Sequence, residues 1–218
     1  MGLYKGQVSK MFSRLFQKLY TLTYYFFNTS MHIWDLLHGT DFSFIDKSVE
    51  SGTRCPYYAT PWASLFPLKR YLVKHMSGGS GHSVIDIGCG KGFMLYFFTC
   101  RKFDKVAGIE YSSKLQQTAV KNLDRVIKDS KKMPRIYNED AASFQKYDQY
   151  DTFYLYNPFD KGTLEQVIRR ILEPGKNPNR TLYLFYCNPL FGDVLLENGF
   201  TETAFFYYKT KVYRYERI

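Results

Sequence analysis

Nine consecutive residues, Val84-Ile-Asp-Ile-Gly-Cys-Gly-Lys-Gly92, carry the densest chemical signal in the chain. The apolar run at their start reads as a buried strand, and it leads into a turn with glycine at every second position and then a helical segment. Glycine suits such a turn because the backbone visits positive φ and because a ligand approaches where any Cβ would collide. A second apolar run ends in Gly108-Ile-Glu110-Tyr111, placing a carboxylate 22 residues past Gly88. In a doubly wound sheet both features fall at the carboxyl ends of strands, where an acid accepts the hydroxyls of an adenosine ribose. Spacing also chooses among adenosine-bearing ligands. A dinucleotide site asks for GxGxxG or GxGxxA, whereas Phe93 occupies the third small position here and its ring obstructs close approach of helix to pyrophosphate. Asp86, two residues before the first glycine, adds an anion that repels pyrophosphate. A ligand with an ammonium group fits better.

Asp86-Ile-Gly-Cys-Gly-Lys-Gly92 with Glu110 resembles the cofactor signature of class I S-adenosylmethionine-dependent methyltransferases, which are Rossmann-like, and the likeness covers residues 83–218. The resemblance implies an α/β fold, doubly wound, with a mostly parallel seven-stranded sheet and an antiparallel last strand. It implies S-adenosylmethionine as cofactor, with Gly88, Cys89, Gly90 and Gly92 around the methionine moiety, Asp86 towards its amino end and Glu110 on the ribose. Tyr137-Asn-Glu-Asp140-Ala141 follows a third short strand, where such enzymes place an Asp and a small residue at the adenine amine. Asp140 is preferred to Glu139 for that role, the competing reading being a solvated acidic loop. Tyr111 either lies against adenine or packs at the strand end.

A fourth strand ends in Asn157-Pro158-Phe159, which resembles the Asn-Pro-Pro-aromatic signature of methyltransferases acting on amino nitrogens, with one proline missing. The resemblance implies that Asn157 and the carbonyl after it accept hydrogen bonds from the target amine while Phe159 holds its flat face. Ala59-Thr60-Pro61, which puts Thr60 26 residues before Asp86, is similar to a Thr-Pro segment that lies over the methionine carboxylate in some nucleic-acid adenine methyltransferases. Helix capping explains it equally well, with Thr60 as cap and Pro61 in the first helical position. Tyr57, Tyr58 and Trp62 read either as an aromatic wall for a flat substrate or as core. No Ser/His/Asp or paired-carboxylate arrangement stands out. Methyl transfer from a sulfonium asks the protein mainly for alignment and exclusion of water. The overall pattern resembles small bacterial methyltransferases whose acceptors are not established. The competing reading from another class is a non-catalytic S-adenosylmethionine-binding or scaffold protein of the same fold.

The elements that position these residues follow from periodicity. Strands are expected at Val84–Ile87, Lys105–Ile109, Arg135–Tyr137, Thr152–Tyr156 and Thr181–Cys187, with a closing hairpin pair within Thr201–Ile218. Helices are expected at Gly92–Cys100, Ser112–Ile127, Leu164–Leu172 and Leu190–Glu197. Upstream, Gln7 to Asn28 repeats apolar residues at helical spacing with Lys10, Arg14 and Lys18 opposite, an amphipathic helix that either packs on the main domain or meets lipid or a partner. Residues from Met31 read as irregular, then as a helix from about Leu65 to Lys74. Ser77-Gly-Gly-Ser-Gly81 reads as a flexible joint between a helical, aromatic amino-terminal cap (1–76) and the main domain (83–218).

Composition bounds the rest. At 218 residues, 45% hydrophobic and 23% charged, the chain is a globular domain with an appendage and neither disordered nor fibrous. A net charge of +10, with four basic residues and no acid before Asp35, is compatible with nucleic acid or another polyanion, including a membrane surface, and equally with plain solubility. The four cysteines lack metal or disulfide spacing and read as reduced thiols. No apolar run is long enough to span a bilayer, and a cytoplasmic protein is expected.

Overall fold

The computed structural model describes residues 26, 29–45, 57–173, 180–206 and 209–216. In chain order these form α1 (29–38), α2 (Trp62–His75), β1 (Ser83–Ile87), α3 (Phe93–Thr99), β2 (Lys105–Ile109), α4 (Ser113–Val126), β3 (Arg135–Tyr137), β4 (Thr152–Tyr156), α5 (Lys161–Leu172), β5 (Thr181–Cys187), α6 (Gly192–Glu197), β6 (Thr201–Phe206) and β7 (Thr210–Glu216). The strands make one seven-stranded sheet in the order β3-β2-β1-β4-β5-β7-β6. β1 to β5 run parallel, and β7 enters antiparallel between β5 and β6.

Side chains of a strand alternate between faces, and the core divides accordingly. Ile85, Ile87, Phe153, Leu155 and Leu184 pack with Leu164, Val167, Ile168 and Ile171 of α5 and with Val194 and Leu195 of α6. Their neighbours Val84, Tyr154, Phe185 and Val212 pack on the other face with Leu68 and Leu72 of α2, Met94, Phe97 and Phe98 of α3, and Met31 of α1. The aromatic-rich composition thus fills both layers.

Strand order reverses beside β1, whose partners are β2 on one side and β4 on the other. That reversal opens a crevice at the carboxyl ends of the strands, the place where open α/β sheets take ligands. At the opposite end of the sheet, Asp151 gathers Ser83 N, His82 Nδ1, Thr152 Oγ1 and the Arg180 guanidinium within 2.7–3.1 Å, tying the starts of β1, β4 and β5 together.

Several expectations need correction. The stretch from Met31 is helical at first, because Met31, Trp34 and the buried Asp35 give α1 an inward face. Within Ser77–Gly81, Gly79 is buried so closely that a Cβ would meet Phe103 at 2.6 Å, and Lys102 N donates to Gly78 O, whereas a Cβ on Gly78 or Gly81 would meet nothing among the described residues. Thr60 does not cap α2, whose boundary residue is Pro61; its hydroxyl bonds the Tyr154 hydroxyl at 2.8 Å instead. α5 begins three residues early, since Asp160 Oδ1 accepts from Thr163 N at 2.8 Å. α6 begins two residues late, at Gly192. The Gln7–Asn28 expectation lies outside the described residues except at Phe26, which is helical. Cys89 and Cys187 are buried and Cys100 is exposed, all as free thiols.

Candidate cofactor site

The turn after β1 is built as its glycines demand. Gly88, Gly90 and Gly92 adopt φ of +78°, +52° and +86°, a region that L side chains rarely enter. A Cβ on Gly88 would stand 2.8 Å from Pro158 Cβ, and one on Gly90 would run into the Tyr57 ring. Gly88 N and Cys89 N both donate to Ile109 O at 2.9 Å, fixing the turn to the tip of β2. Glu110, the next residue, is 8% exposed; its Oε2 accepts from Gly90 N at 2.9 Å and its Oε1 from Ser112 N at 2.8 Å. The acid at the second strand is therefore wired to the glycine bend by its own carboxylate.

Here the sheet bears an open cavity of about 230 Å³. Of the residues singled out from sequence, Gly88, Gly90, Glu110, Tyr111, Asp140, Ala141, Pro158 and Phe159 line it. Asp140 Oδ1 accepts from Ala142 N at 2.9 Å, so the carboxylate shapes the turn that brings Ala141 to the wall. The other candidates stand back from the cavity. Asp86 is 3% exposed between Gly108 and Tyr154 in register; burial, then the Glu110 charge, pushes its carboxyl well above the usual carboxylate range. Cys89 is buried against Gly108, its thiol pushed up by burial and then by Asp86. Gly92 packs on Ala119 of α4, and Thr60 is held by Tyr154. Asn157 takes a left-handed φ of +38° and accepts from the Tyr186 hydroxyl at 2.9 Å, while Pro158 and Phe159 after it reach the wall.

The structure adds residues that spacing did not select. Tyr57 and Tyr58 are walls, as one of the two readings had it, whereas Trp62 is core, stacked on Phe93 at 6.2 Å. Tyr156, Thr163 and Gln166 also line the cavity, with Ile109, Leu115 and Ala142; an aromatic strand end and polar positions early in α5 carry no signal of a site in sequence. Glu139 lines the cavity beside Asp140. Asn138, between Tyr137 and Glu139, donates from Nδ2 to Glu110 O at 2.8 Å and Tyr111 O at 2.9 Å, bridging the tips of β2 and β3. Lys91, inside the glycine turn, is 4% exposed and points away from the cavity to Asp41. The lining holds three carboxylates, Glu110, Glu139 and Asp140, and no Lys or Arg among the described residues, so the chain's positive charge lies elsewhere.

Solved structures with this architecture include magnesium protoporphyrin IX methyltransferase from Synechocystis PCC 6803 with bound S-adenosylmethionine, at TM-score 0.53 and 18% identity over 72% of this chain and 79% of that one. The methyltransferase domain of a bacterial Hen1 (CtHen1) matches at TM-score 0.52 and 16% identity over 70% and 97%. A SAM-dependent methyltransferase from Aquifex aeolicus matches at TM-score 0.50 and 13% identity over 72% and 98%. The chain has the Rossmann-like methyltransferase fold. Neither a family model nor a curated protein matches its sequence, so the likeness is one of fold. Within this methyltransferase fold the cavity occupies the crevice beside β1, with the glycine bend at one end and the Asp140–Ala141 turn at the other.

Proposed function

We propose that the protein binds S-adenosylmethionine in this cavity and transfers its methyl group to an acceptor, with an amino nitrogen as the acceptor atom. One observation carries the reading: a buried carboxylate at the second strand and two glycines in left-handed conformation line the same crevice. The residues fit the cofactor. Glu110 would accept the ribose hydroxyls, Asp140 with Ala141 would meet the adenine, and the bare backbone of Gly88 and Gly90 would admit the amino-acid end. Asp86, two residues before Gly88, is buried, and burial followed by the Glu110 charge favours its neutral form. When bound, S-adenosylmethionine supplies a methyl group made electrophilic by its sulfonium.

The chain's own work is alignment. The Asn157-Pro158-Phe159 segment supports an amino nitrogen, because Pro158 stands against Gly88 of the glycine bend and Phe159 lines the same cavity. Among the described residues the lining holds three carboxylates and no Lys or Arg, which favours an uncharged or cationic acceptor group over a phosphate at the reacting end. A second reading, S-adenosylmethionine binding without turnover, has one observation in its favour: the Asn157 side chain is already engaged by Tyr186. Calorimetric titration with S-adenosylmethionine tests the shared claim, and absence of binding removes both readings. Acceptor-dependent formation of S-adenosylhomocysteine with a panel of aromatic amines then separates them.

A further inference from the structure

Lys91 is the one charged side chain inside the glycine turn, and nothing in a cofactor-binding role accounts for where it goes. Its side chain is 5% exposed and leaves the cavity, reaching the segment that follows α1. Nζ donates to both Asp41 carboxylate oxygens and to Phe44 O, each at 2.9 Å, and sits 5.3 Å from the centre of the Tyr57 ring. Asn122 of α4 closes the arrangement from behind, accepting from Asp41 N at 2.9 Å and donating to Lys91 O at 3.0 Å. The 40–44 segment is itself pre-shaped by the buried Asp35, which accepts from Thr40 Oγ1, Phe42 N, Ser43 N and Ser43 Oγ. Phe42 O then accepts the Tyr57 hydroxyl at 2.6 Å. The phenol ring is thereby pressed over Gly90, at the glycine end of the cavity, where a Cβ would collide with it.

We propose that Tyr57 is a further ligand-contacting residue of the site and that Lys91, through Asp41 and the 40–44 segment, is its positioning residue. The amino-terminal part of the chain then completes the seat that the sheet begins. A lysine with three hydrogen bonds and almost no exposure holds one geometry, and removing it leaves Asp41 and Phe44 O without their shared donor. The Tyr57 ring loses its clamp on one side, while neither Lys91 nor Asp41 is itself a member of the hydrophobic clusters that build the fold. The proposal rests on the cofactor reading above for one point: which part of the ligand lies against Gly90. With the ribose on Glu110 and adenine towards Asp140, the amino-acid end faces Tyr57.

That asymmetry gives the test. S-adenosylhomocysteine carries both ends of the ligand, whereas 5′-methylthioadenosine lacks the amino-acid end. Both are titrated calorimetrically into the full chain and into Lys91→Met, Asp41→Asn, Tyr57→Phe and Tyr57→Ala, with melting temperature recorded for each. The expected result is a loss of about tenfold or more in S-adenosylhomocysteine affinity for Lys91→Met and Tyr57→Ala, with 5′-methylthioadenosine affinity unchanged within about twofold. Asp41→Asn and Tyr57→Phe should fall between, and Lys91→Met combined with Tyr57→Ala should cost no more than Tyr57→Ala alone, because the lysine acts through the ring. Equal weakening of both ligands shows a merely structural role and overturns the proposal, as does unchanged S-adenosylhomocysteine affinity. Should the unaltered chain bind neither compound, the cofactor reading itself falls. Binding by the unaltered chain with additive losses in the double variant overturns only the positioning role.

Discussion

Replacing Glu110 tests the site most directly, because this carboxylate holds the glycine bend in the ligand-free fold and would take the ribose when the cofactor arrives. In the free protein its two oxygens accept from Gly90 N and Ser112 N at 2.9 and 2.8 Å. Ribose hydroxyls would add charge-assisted hydrogen bonds to this carboxylate, a contribution of about 1.5–3 kcal/mol. Glu110→Ala removes these and frees the glycine bend as well, so S-adenosylmethionine affinity should fall by about 10- to 150-fold, since every 1.4 kcal/mol is tenfold. Glu110→Gln keeps one acceptor oxygen but turns an NH2 towards one of the two amides, so it should fall nearly as far without change in side-chain volume. Calorimetric titration gives the affinities, and urea unfolding gives each variant's stability on its own. If Glu110→Ala bound S-adenosylmethionine as tightly as the unaltered chain, ribose would not sit on this acid, and the assignment of the crevice would be wrong.

Three further outcomes follow from the same geometry. Gly90→Val should abolish detectable S-adenosylmethionine binding, because a side chain at φ +52° is strained and meets the Tyr57 ring; retained affinity would show that the bend is not the seat. At Asp151 burial opposes the charge, but hydrogen bonds from His82 and Thr152 and the Arg180 guanidinium outweigh it and hold the carboxyl below its usual value. A depressed folded value stabilises the fold above the unfolded carboxylate value of about 3.9 and is lost as pH falls further, through the folded value. Asp151→Asn should therefore cost about 1.5–3 kcal/mol at pH 7 in urea titrations, with the gap from the unaltered chain narrowing below about pH 4; a gap independent of pH would refute the ionic account. With no Lys or Arg in the lining among the described residues, S-adenosylhomocysteine affinity should change by less than about threefold between about 50 and 200 mM salt, whereas binders that neutralise several phosphates lose about a thousandfold or more.

Much of the fold was legible because its signals are local. Lys105–Ile109, Arg135–Tyr137, Thr152–Tyr156 and Thr181–Cys187 are strands at the boundaries expected, since a short apolar run bounded by turn residues has few other uses in an α/β chain. The glycine bend was equally legible: three alternate glycines after such a run predict positive φ whatever lies around them. Asp160 is itself a helix-start signal in the sequence, an N-cap residue that places the start of α5 at Lys161. Gly79, within the Ser77–Gly81 joint, shows a different limit of local signals. Glycine and serine mark freedom only where nothing packs on them, and Phe103 packs on Gly79 from 24 residues away.

By itself the sequence determined the alternation of strand and helix, the closing hairpin, the bend at Gly88–Gly92 and the acid at Glu110, because each rests on backbone preference or spacing within about thirty residues. Only the tertiary structure decided that Asp86, Cys89 and Asn157 stand back from the cavity while Tyr57, Tyr156 and Gln166 line it. It also decided that Lys91 turns to Asp41, fifty positions earlier. Which way a side chain faces depends on what the far parts of the chain bring against it, and a charge total of +10 carries no information about a crevice lined by carboxylates.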